Sequence, residues 1–174
     1  MSDSSQQKKL NKWYQLYNNE IYKFILYMVN DHEQAKDLMQ DTFIRAFNSL
    51  DSFHSENPKG WLFRIARNIT IDYLRKKKPV QYVIDSSTNL PSRTLTPEQT
   101  VSLNEQEKEL YIALAKLKRP YREVIILRKI REFSIMETAN ILGWSEGKVK
   151  TNLWRGMDSL KKQLKREGFQ YESI

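Results

Sequence analysis

The sequence predicts an all-α fold of two small helical domains joined by a flexible linker, with a helix-turn-helix in the second domain. Apolar residues recur at intervals of three and four through most of the chain, as on the buried face of a helix. The chain has only five Gly and five Pro, and the alternation typical of strands is scarce. Residues 79–102 lack the helical period, and roughly twenty such residues are too many for an ordinary loop in a compact domain. The predicted units are therefore 1–78 and 103–174.

The first unit reads as three helices. Leu16 opens the apolar face of the first helix, and Asp31 can cap the second. The apolar face of the second helix extends from Ala35 through Phe47 to Leu50. The third helix, Lys59–Lys78, follows a polar loop and ends in four consecutive basic residues, which suit the negative end of a helix dipole. Its Trp61 is expected in the core.

The second unit begins with two predicted helices, Leu103–Leu117 and Tyr121–Ile130, and continues into a helix-turn-helix. Ser134 and Glu137 form an S-x-x-E pair, which can satisfy two free N–H groups at a helix start. Gly143 can adopt the left-handed conformation that ends the first short helix. Ser145 is a natural N-cap for the next helix.

The second helix of this motif has two faces of different character. Val149, Leu153 and Leu160 are expected to face inward. Its outward residues have side chains that reach base edges and phosphates in a major groove: Lys148, Lys150, Thr151, Asn152 and Arg155. The motif alone predicts a DNA-reading module.

Bulk properties limit the remaining possibilities. The net charge of +8 favours nucleic acid or an anionic membrane surface as partner, although it also suits a merely basic soluble protein. The absence of cysteine excludes disulfides and thiolate metal sites, and no apolar run is long enough to span a membrane. The N-terminus lacks the apolar core of a signal peptide, so a cytoplasmic location is expected.

Signals for catalysis are weak. The five glycines are scattered and form no phosphate-binding loop, and His32 and His54 lie in no H-E-x-x-H arrangement. We therefore expect no enzyme activity, no cofactor, no metal and no small-molecule substrate.

Two further surfaces are open to two interpretations each. The basic helix Lys59–Lys78 carries interleaved aromatic residues, which suit a single strand with stacking bases, or else a solvated face. Asn68 and Asp72 lie one turn apart on it and can face the same base. The helix around Asp37 has an acidic and amide face that repels phosphate, so it is either a protein-docking face or ordinary solvated polarity.

The order of these segments resembles sigma factors of the extracytoplasmic-function group, which belong to the bacterial sigma-70 family. The similarity runs from about Leu16 to Leu164. It rests on DHEQAKDLMQDTFIRAFNSLDSF, then PKGWLFRIARNITIDYLRKKK, the linker, YREVIILR and the helix-turn-helix. The segments FSIMETA and SEGKVKT are most similar to those of sigma-X-like members of the group, which respond to envelope stress.

The resemblance implies a role for each lobe. The first lobe would dock on the clamp helices of core RNA polymerase through Asp37, Gln40 and Asp41. It would also read and melt the −10 element of promoter DNA, with a loop at 52–57 that captures a flipped base. The residues implied at −10 are Ser52, Phe53, His54, Arg64, Asn68, Asp72, Arg75 and Lys76.

The second lobe would contact the polymerase flap and read the −35 element. The residues implied there are the outward-facing set and Trp154, which stands where His or Phe is more usual in the family. Asn152 stands where Arg is common, so the −35 sequence read here need not be the usual one. The family also implies an anti-sigma factor, commonly membrane-anchored, which would hold the protein at the inner membrane face.

Three other functions are possible on the motifs alone. A stand-alone helix-turn-helix regulator would bind DNA without polymerase. A recombinase-like enzyme would need a nucleophile or a carboxylate cluster, which the sequence lacks. A purely helical adaptor leaves the basic recognition helix unexplained.

Overall fold

The computed structural model describes residues 2–77 and 103–169, and these residues form helices and turns without a β-strand. The predicted all-α class is confirmed. The linker predicted at 79–102 lies outside the described residues. The α-helices are α1 (Ser2–Val29), α2 (His32–Asn48), α3 (Pro58–Lys77), α4 (Glu105–Ala115), α5 (Arg119–Ile125), α6 (Ile135–Leu142) and α7 (Glu146–Arg166).

The first lobe packs α1, α2 and α3 around one apolar core. Asn30 turns the chain between α1 and α2 in the left-handed conformation (φ 57°), which Asn tolerates better than most residues. Asp31 then caps α2 by accepting a hydrogen bond from the Gln34 backbone N–H, as predicted. Leu16 was predicted on the apolar face of the first helix, but it is 56% exposed. That prediction was wrong, because the core covers a narrower stripe of α1 than the apolar pattern suggests.

The second lobe packs α5 against α7, with α4 and α6 at its sides. Asn104 and Glu107 form a complete capping box at the start of α4. The helix predicted at Tyr121–Ile130 starts two residues earlier, and its last turn, Ile126–Ile130, is π-helical. This wider turn leads into a reversal at Glu132 (φ 62°), after which Phe133 points back into the core.

The two lobes contact each other along α3 and α6 and along α1 and α4. The rings of Phe63 and Phe133 lie 5.1 Å apart across this boundary, edge to face. On the α1 side the Tyr111 hydroxyl donates a hydrogen bond to the side chain of Asn30. Aromatic and hydrogen-bonded contacts therefore join the lobes through residues that are buried in each.

Candidate nucleic-acid interface

The helix-turn-helix has the predicted caps, although only the Ser134 half of the predicted S-x-x-E pair forms. Ser134 accepts a hydrogen bond from the Glu137 backbone N–H at 3.0 Å and so caps α6. Gly143 ends α6 with φ 68°, and Ser145 caps α7 by accepting from the first turn. Val149 is fully buried between the two helices. Local hydrogen bonds thus fix the crossing of α6 and α7, and the outer face of α7 is left to solvent.

That outer face carries the predicted base-contacting residues. Trp154 is 77% exposed, which leaves most of its indole ring open to solvent. Asn152 is half-buried, and its amide already donates to the Lys148 carbonyl at 2.9 Å. The remaining predicted residues on this face are exposed: Lys148, Lys150, Thr151 and Arg155.

One contributor to this face was missed at the sequence level. The Lys148 ammonium lies 4.5 Å from the centre of the half-buried Trp144 ring, a cation–π contact at the start of α7. The aromatic residue directly after Gly143 was the available signal, because the turn places it beside the first exposed turn of α7. Trp144 thus orients one of the cations of the candidate surface.

The outer face of α3 forms a second basic surface. Arg64, Asn68, Arg75 and Lys76 are exposed, and Asp72 is half-buried with its carboxylate 3.8 Å from the Arg75 guanidinium. An acid inside a basic face lowers its attraction for phosphate locally and leaves the end of α3 as its most positive part. Arg64 also donates a hydrogen bond to Asn140 of α6 at 2.8 Å.

The loop before α3 is anchored near its start by the Phe53 ring. The Phe53 ring packs edge-on against Trp13 at 5.2 Å between ring centres, and at a tilt of 48° against Trp61 at 5.0 Å. Trp61, expected in the core, is half-buried in this aromatic cluster. Ser52 and His54 are exposed beside the anchored ring. Phe53 therefore fixes the start of the loop. Beside it, His54 is the side chain available to a ligand, while the Ser52 Oγ already donates a hydrogen bond to the Ser49 carbonyl at 2.6 Å.

A third surface lies on α2. Asp37, Gln40 and Asp41 are exposed on consecutive turns. Ile44 and Phe47 extend the same stripe and are 60% and 42% exposed. Phe47 had been predicted on the apolar inner face, which is wrong. The spacing 37, 40/41, 44 and 47 was the available signal, since it follows one helix face.

Other kinds of site are not found among residues 2–77 and 103–169. In these ranges no group of three or more His, Cys, Asp or Glu side chains could hold a metal ion. None of the helices described is both long and apolar enough to cross a membrane.

Comparisons with known proteins agree on one family. Residues 13–80 match the model of sigma-70 region 2, and residues 107–160 match that of sigma-70 region 4. The ECF RNA polymerase sigma factor SigX of Bacillus subtilis is 38% identical over 157 residues, covering 87% of this chain and 81% of SigX. SigW of the same organism is 35% identical, covering 86% of both chains.

Solved structures give the same result. The sigma factor RpoE of Bartonella quintana, in complex with the anti-sigma factor NepR, matches with a TM-score of 0.74 and 32% identity, over 91% of this chain and 98% of RpoE. CnrH in complex with the cytosolic domain of CnrY matches with a TM-score of 0.67 and 24% identity, over 94% of this chain and 92% of CnrH. This match shows a similar fold. The chain belongs to the extracytoplasmic-function group of the sigma-70 family of RNA polymerase sigma factors.

Proposed function

We propose that this sigma factor is a dissociable subunit that recognises the −35 and −10 elements of a promoter on core RNA polymerase and promotes melting at −10. The observation that carries the proposal is the exposed face of α7, where basic, polar and aromatic side chains project from a capped helix-turn-helix. A recognition helix of this kind enters the major groove and reads base edges.

At the −35 element, Arg155 is the residue that we would test first. It is exposed on the same side of α7 as Lys148, Thr151 and Trp154. Arg155→Ala should weaken −35 binding by about 1–3 kcal/mol if the guanidinium contacts a base. Lys161→Ala, at an exposed position two turns further along α7, is the matched control. An unchanged footprint over −35 in Arg155→Ala would contradict the assignment.

At the −10 element, α3 and the 52–57 loop would bind the displaced strand. Exposed Asn68 lies one turn from Arg64 and from Asp72 on this surface. Melting needs no hydrolysis, since trapped unstacked bases and strand contacts can supply the energy. Asn68→Ala should impair open-complex formation more than closed-complex binding, measured by permanganate reactivity and by gel shift. Equal losses at both stages would count against the role.

Docking on the clamp helices of core polymerase is assigned to Asp37, Gln40 and Asp41. Their shared, exposed position on α2 supports this, and so do the apolar side chains beside them, because protein interfaces combine an apolar centre with a polar rim. Asp41→Asn should lower the affinity for core polymerase. Asp3→Asn, at an exposed carboxylate at the start of α1, is the control. Equal affinities of the two variants would argue against the surface.

The proposed division of the chain is residues 1–78 for docking and −10, 79–102 as tether, and 103–174 for the flap and −35. Each domain alone would bind its promoter element weakly. Because the linker joins the two domains, binding of one raises the effective concentration of the other at its own element. Cleavage of the chain between Asn89 and Thr94 should therefore abolish specific transcription. Full activity of the cut protein would refute the bipartite mechanism.

Regulation is proposed to follow the relatives. RpoE was solved in complex with the anti-sigma factor NepR, and CnrH in complex with the cytosolic domain of CnrY. An anti-sigma factor, anchored in the membrane, would sequester this protein in the cytoplasm until envelope stress arrives. Runoff transcription with core polymerase on fragmented genomic DNA tests the function as a whole. A stand-alone regulator would fail to co-purify with core polymerase.

A further inference from the structure

The first helix begins well before the part of the chain that matches sigma-70 region 2. The match starts at residue 13, whereas α1 runs without interruption from Ser2 to Val29. Leu10 is 8% exposed and Trp13 is 7% exposed, so the early turns of α1 pack into the core of the first lobe. Residues 2–12 therefore continue the fold of this lobe outside the matched region.

One face of these turns reaches the loop before α3. The Gln6 amide donates a hydrogen bond to the Asp51 carboxylate, with 2.6 Å between Nε2 and Oδ1. One turn further, the Lys9 ammonium lies 5.4 Å from the centre of the Phe53 ring, and the Trp13 ring packs edge-on against the same ring at 5.2 Å. Positions 6, 9 and 13 share this helix face because of their spacing. We use the name brace for Gln6, Lys9 and Trp13.

The other end of the loop is held by α3. The Asn57 side chain accepts a hydrogen bond from the Gly60 backbone N–H at 3.0 Å, at the start of this helix. Trp61, in the first turn of α3, lies against the Phe53 ring with 5.0 Å between ring centres. Between these anchors, residues 54–56 are exposed. The brace and α3 thus hold a short exposed segment at both of its ends.

We propose that the brace positions the 52–57 loop for the −10 base that the loop captures, and that Gln6 and Lys9 act through Asp51 and Phe53 without touching that base. The proposal rests on the −10 role proposed for the loop. A segment that becomes ordered only when its ligand binds loses conformational freedom at that step, which weakens binding. A loop that is held at both ends beforehand avoids most of this loss. More of its contact energy then remains to keep a base unstacked.

Two of the brace contacts can be removed without disturbing the core. Gln6 is half-buried and Lys9 is exposed, whereas Trp13 is buried. Ala favours a helix at least as well as Gln or Lys, so Gln6→Ala/Lys9→Ala, the brace variant, keeps α1 intact. Gln7→Ala/Lys8→Ala is the matched control variant. It makes the same two changes at neighbouring exposed positions and removes the same charge from α1.

The order of the loop can be measured on the full-length protein by hydrogen–deuterium exchange. The Ser52 and Phe53 backbone N–H groups close the turn at the start of the loop by donating to the Ser49 and Leu50 carbonyls at 3.0 and 3.1 Å. In the brace variant these two amides should exchange about three- to tenfold faster, because an exposed hydrogen bond and an exposed cation–π contact each change an opening equilibrium a few-fold. In the control variant they should exchange as in the wild type.

Recognition of the base is measured on holoenzyme reconstituted with core polymerase. The probe is a pool of short single-stranded DNA oligonucleotides of random sequence, from which bound strands are recovered and sequenced. The wild type should enrich a common base motif, and the brace variant should lose about three- to tenfold of that enrichment. Lys9→Arg, which keeps a cation over the Phe53 ring, should retain the enrichment that Lys9→Ala loses.

The outcomes separate the brace from the function on which it rests. Unchanged exchange in the brace variant would overturn the positioning role, and so would faster exchange with undiminished enrichment. An equal loss of enrichment in the control variant would mean that the basic turns of α1 attract DNA by charge alone, which also overturns the brace. If the brace variant fails to fold, Gln6→Ala decides alone. A wild-type holoenzyme that enriches no motif would instead refute the −10 role of the loop, and the brace with it.

Discussion

The position of the recognition helix depends on a close approach between α5 and α7 at Gly156. A Cβ atom added there would lie 3.1 Å from the Tyr121 Cβ, 3.2 Å from the Ile125 Cδ1 and 3.4 Å from the Tyr121 Cα. The end of Ile125 can rotate away, but the Cβ and Cα of Tyr121 are tied to the backbone of α5. Gly156→Ala should therefore push the two helices apart.

The magnitude follows from two opposing effects. Ala in place of Gly in a helix stabilises by about 1 kcal/mol, because it restricts the unfolded chain. Insertion of a methyl group into a packed contact costs about 1–3 kcal/mol. The backbone contacts at Tyr121 place this site toward the upper part of that range. We expect a net loss of about 1 kcal/mol, or a fall in Tm of about 2–4 °C for a chain of this size.

Gly147 provides the matched comparison on the same helix. A Cβ atom there meets only the Ser145 Oγ, at 4.0 Å, so Gly147→Ala keeps the helical gain without the clash. Its Tm should rise by about 1–4 °C. Thermal unfolding followed by circular dichroism measures both variants. A rise in Tm for Gly156→Ala as large as that for Gly147→Ala would refute the close-approach argument.

Three other changes test the stability of neighbouring parts. Ser145→Ala removes the cap of α7 and should lower the free energy of unfolding by about 1 kcal/mol in urea. Burial and the Glu107 carboxylate raise the pKa of Tyr27, although Arg131 opposes them. The neutral phenol therefore makes its full contribution to the free energy of unfolding below about pH 10, and this contribution falls as the pH rises further. Tyr27→Phe should then lose less stability than the wild type at alkaline pH. A hydrogen bond from Lys116 lowers the pKa of Glu167. The ionised carboxylate therefore stabilises the folded chain above the ordinary Glu pKa, and this stabilisation is lost as the pH falls. Glu167→Gln should lose less stability than the wild type on acidification.

Definite results would contradict these three expectations. An unchanged urea midpoint in Ser145→Ala would mean that water replaces the cap without loss. Identical alkaline profiles for the wild type and Tyr27→Phe would mean that the phenol ionises as freely in the folded chain as in the unfolded chain. If stability falls equally with acid pH in the wild type and in Glu167→Gln, the hydrogen bond from Lys116 does not contribute to stability.

Features that depend on residues three or four apart could be predicted from the sequence. The caps at Asp31, Ser134 and Ser145 each accept from an N–H three residues on, and the left-handed Gly143 follows from its missing Cβ. These contacts form within one turn whatever the rest of the chain does. The exposed face of α7 follows from them, because the caps and Val149 fix its rotation.

Burial at the margin of an apolar face could not be predicted in the same way. Leu16 and Phe47 continue the helical period of α1 and α2, yet they are 56% and 42% exposed. The helical period of apolar residues shows which way the buried face of a helix points. The width of the neighbouring helices that cover this face decides which residues at its edge are buried. On α2 the exposed Phe47 lies on the same face as the acidic and amide residues proposed to dock on core polymerase. The side chain wrongly predicted to be buried is therefore available to that proposed interface.

The contacts between lobes were the least predictable part. Lys23 and Arg67 look like members of solvated faces, and their partners lie 84 and 56 residues away. Opposite charges at such separations are present in any chain with 29 basic and 21 acidic residues, so composition cannot select the pairs. The packing of the helices selects the pairs, because it places the Arg67 Nε of α3 3.0 Å from the Glu123 Oε1 of α5.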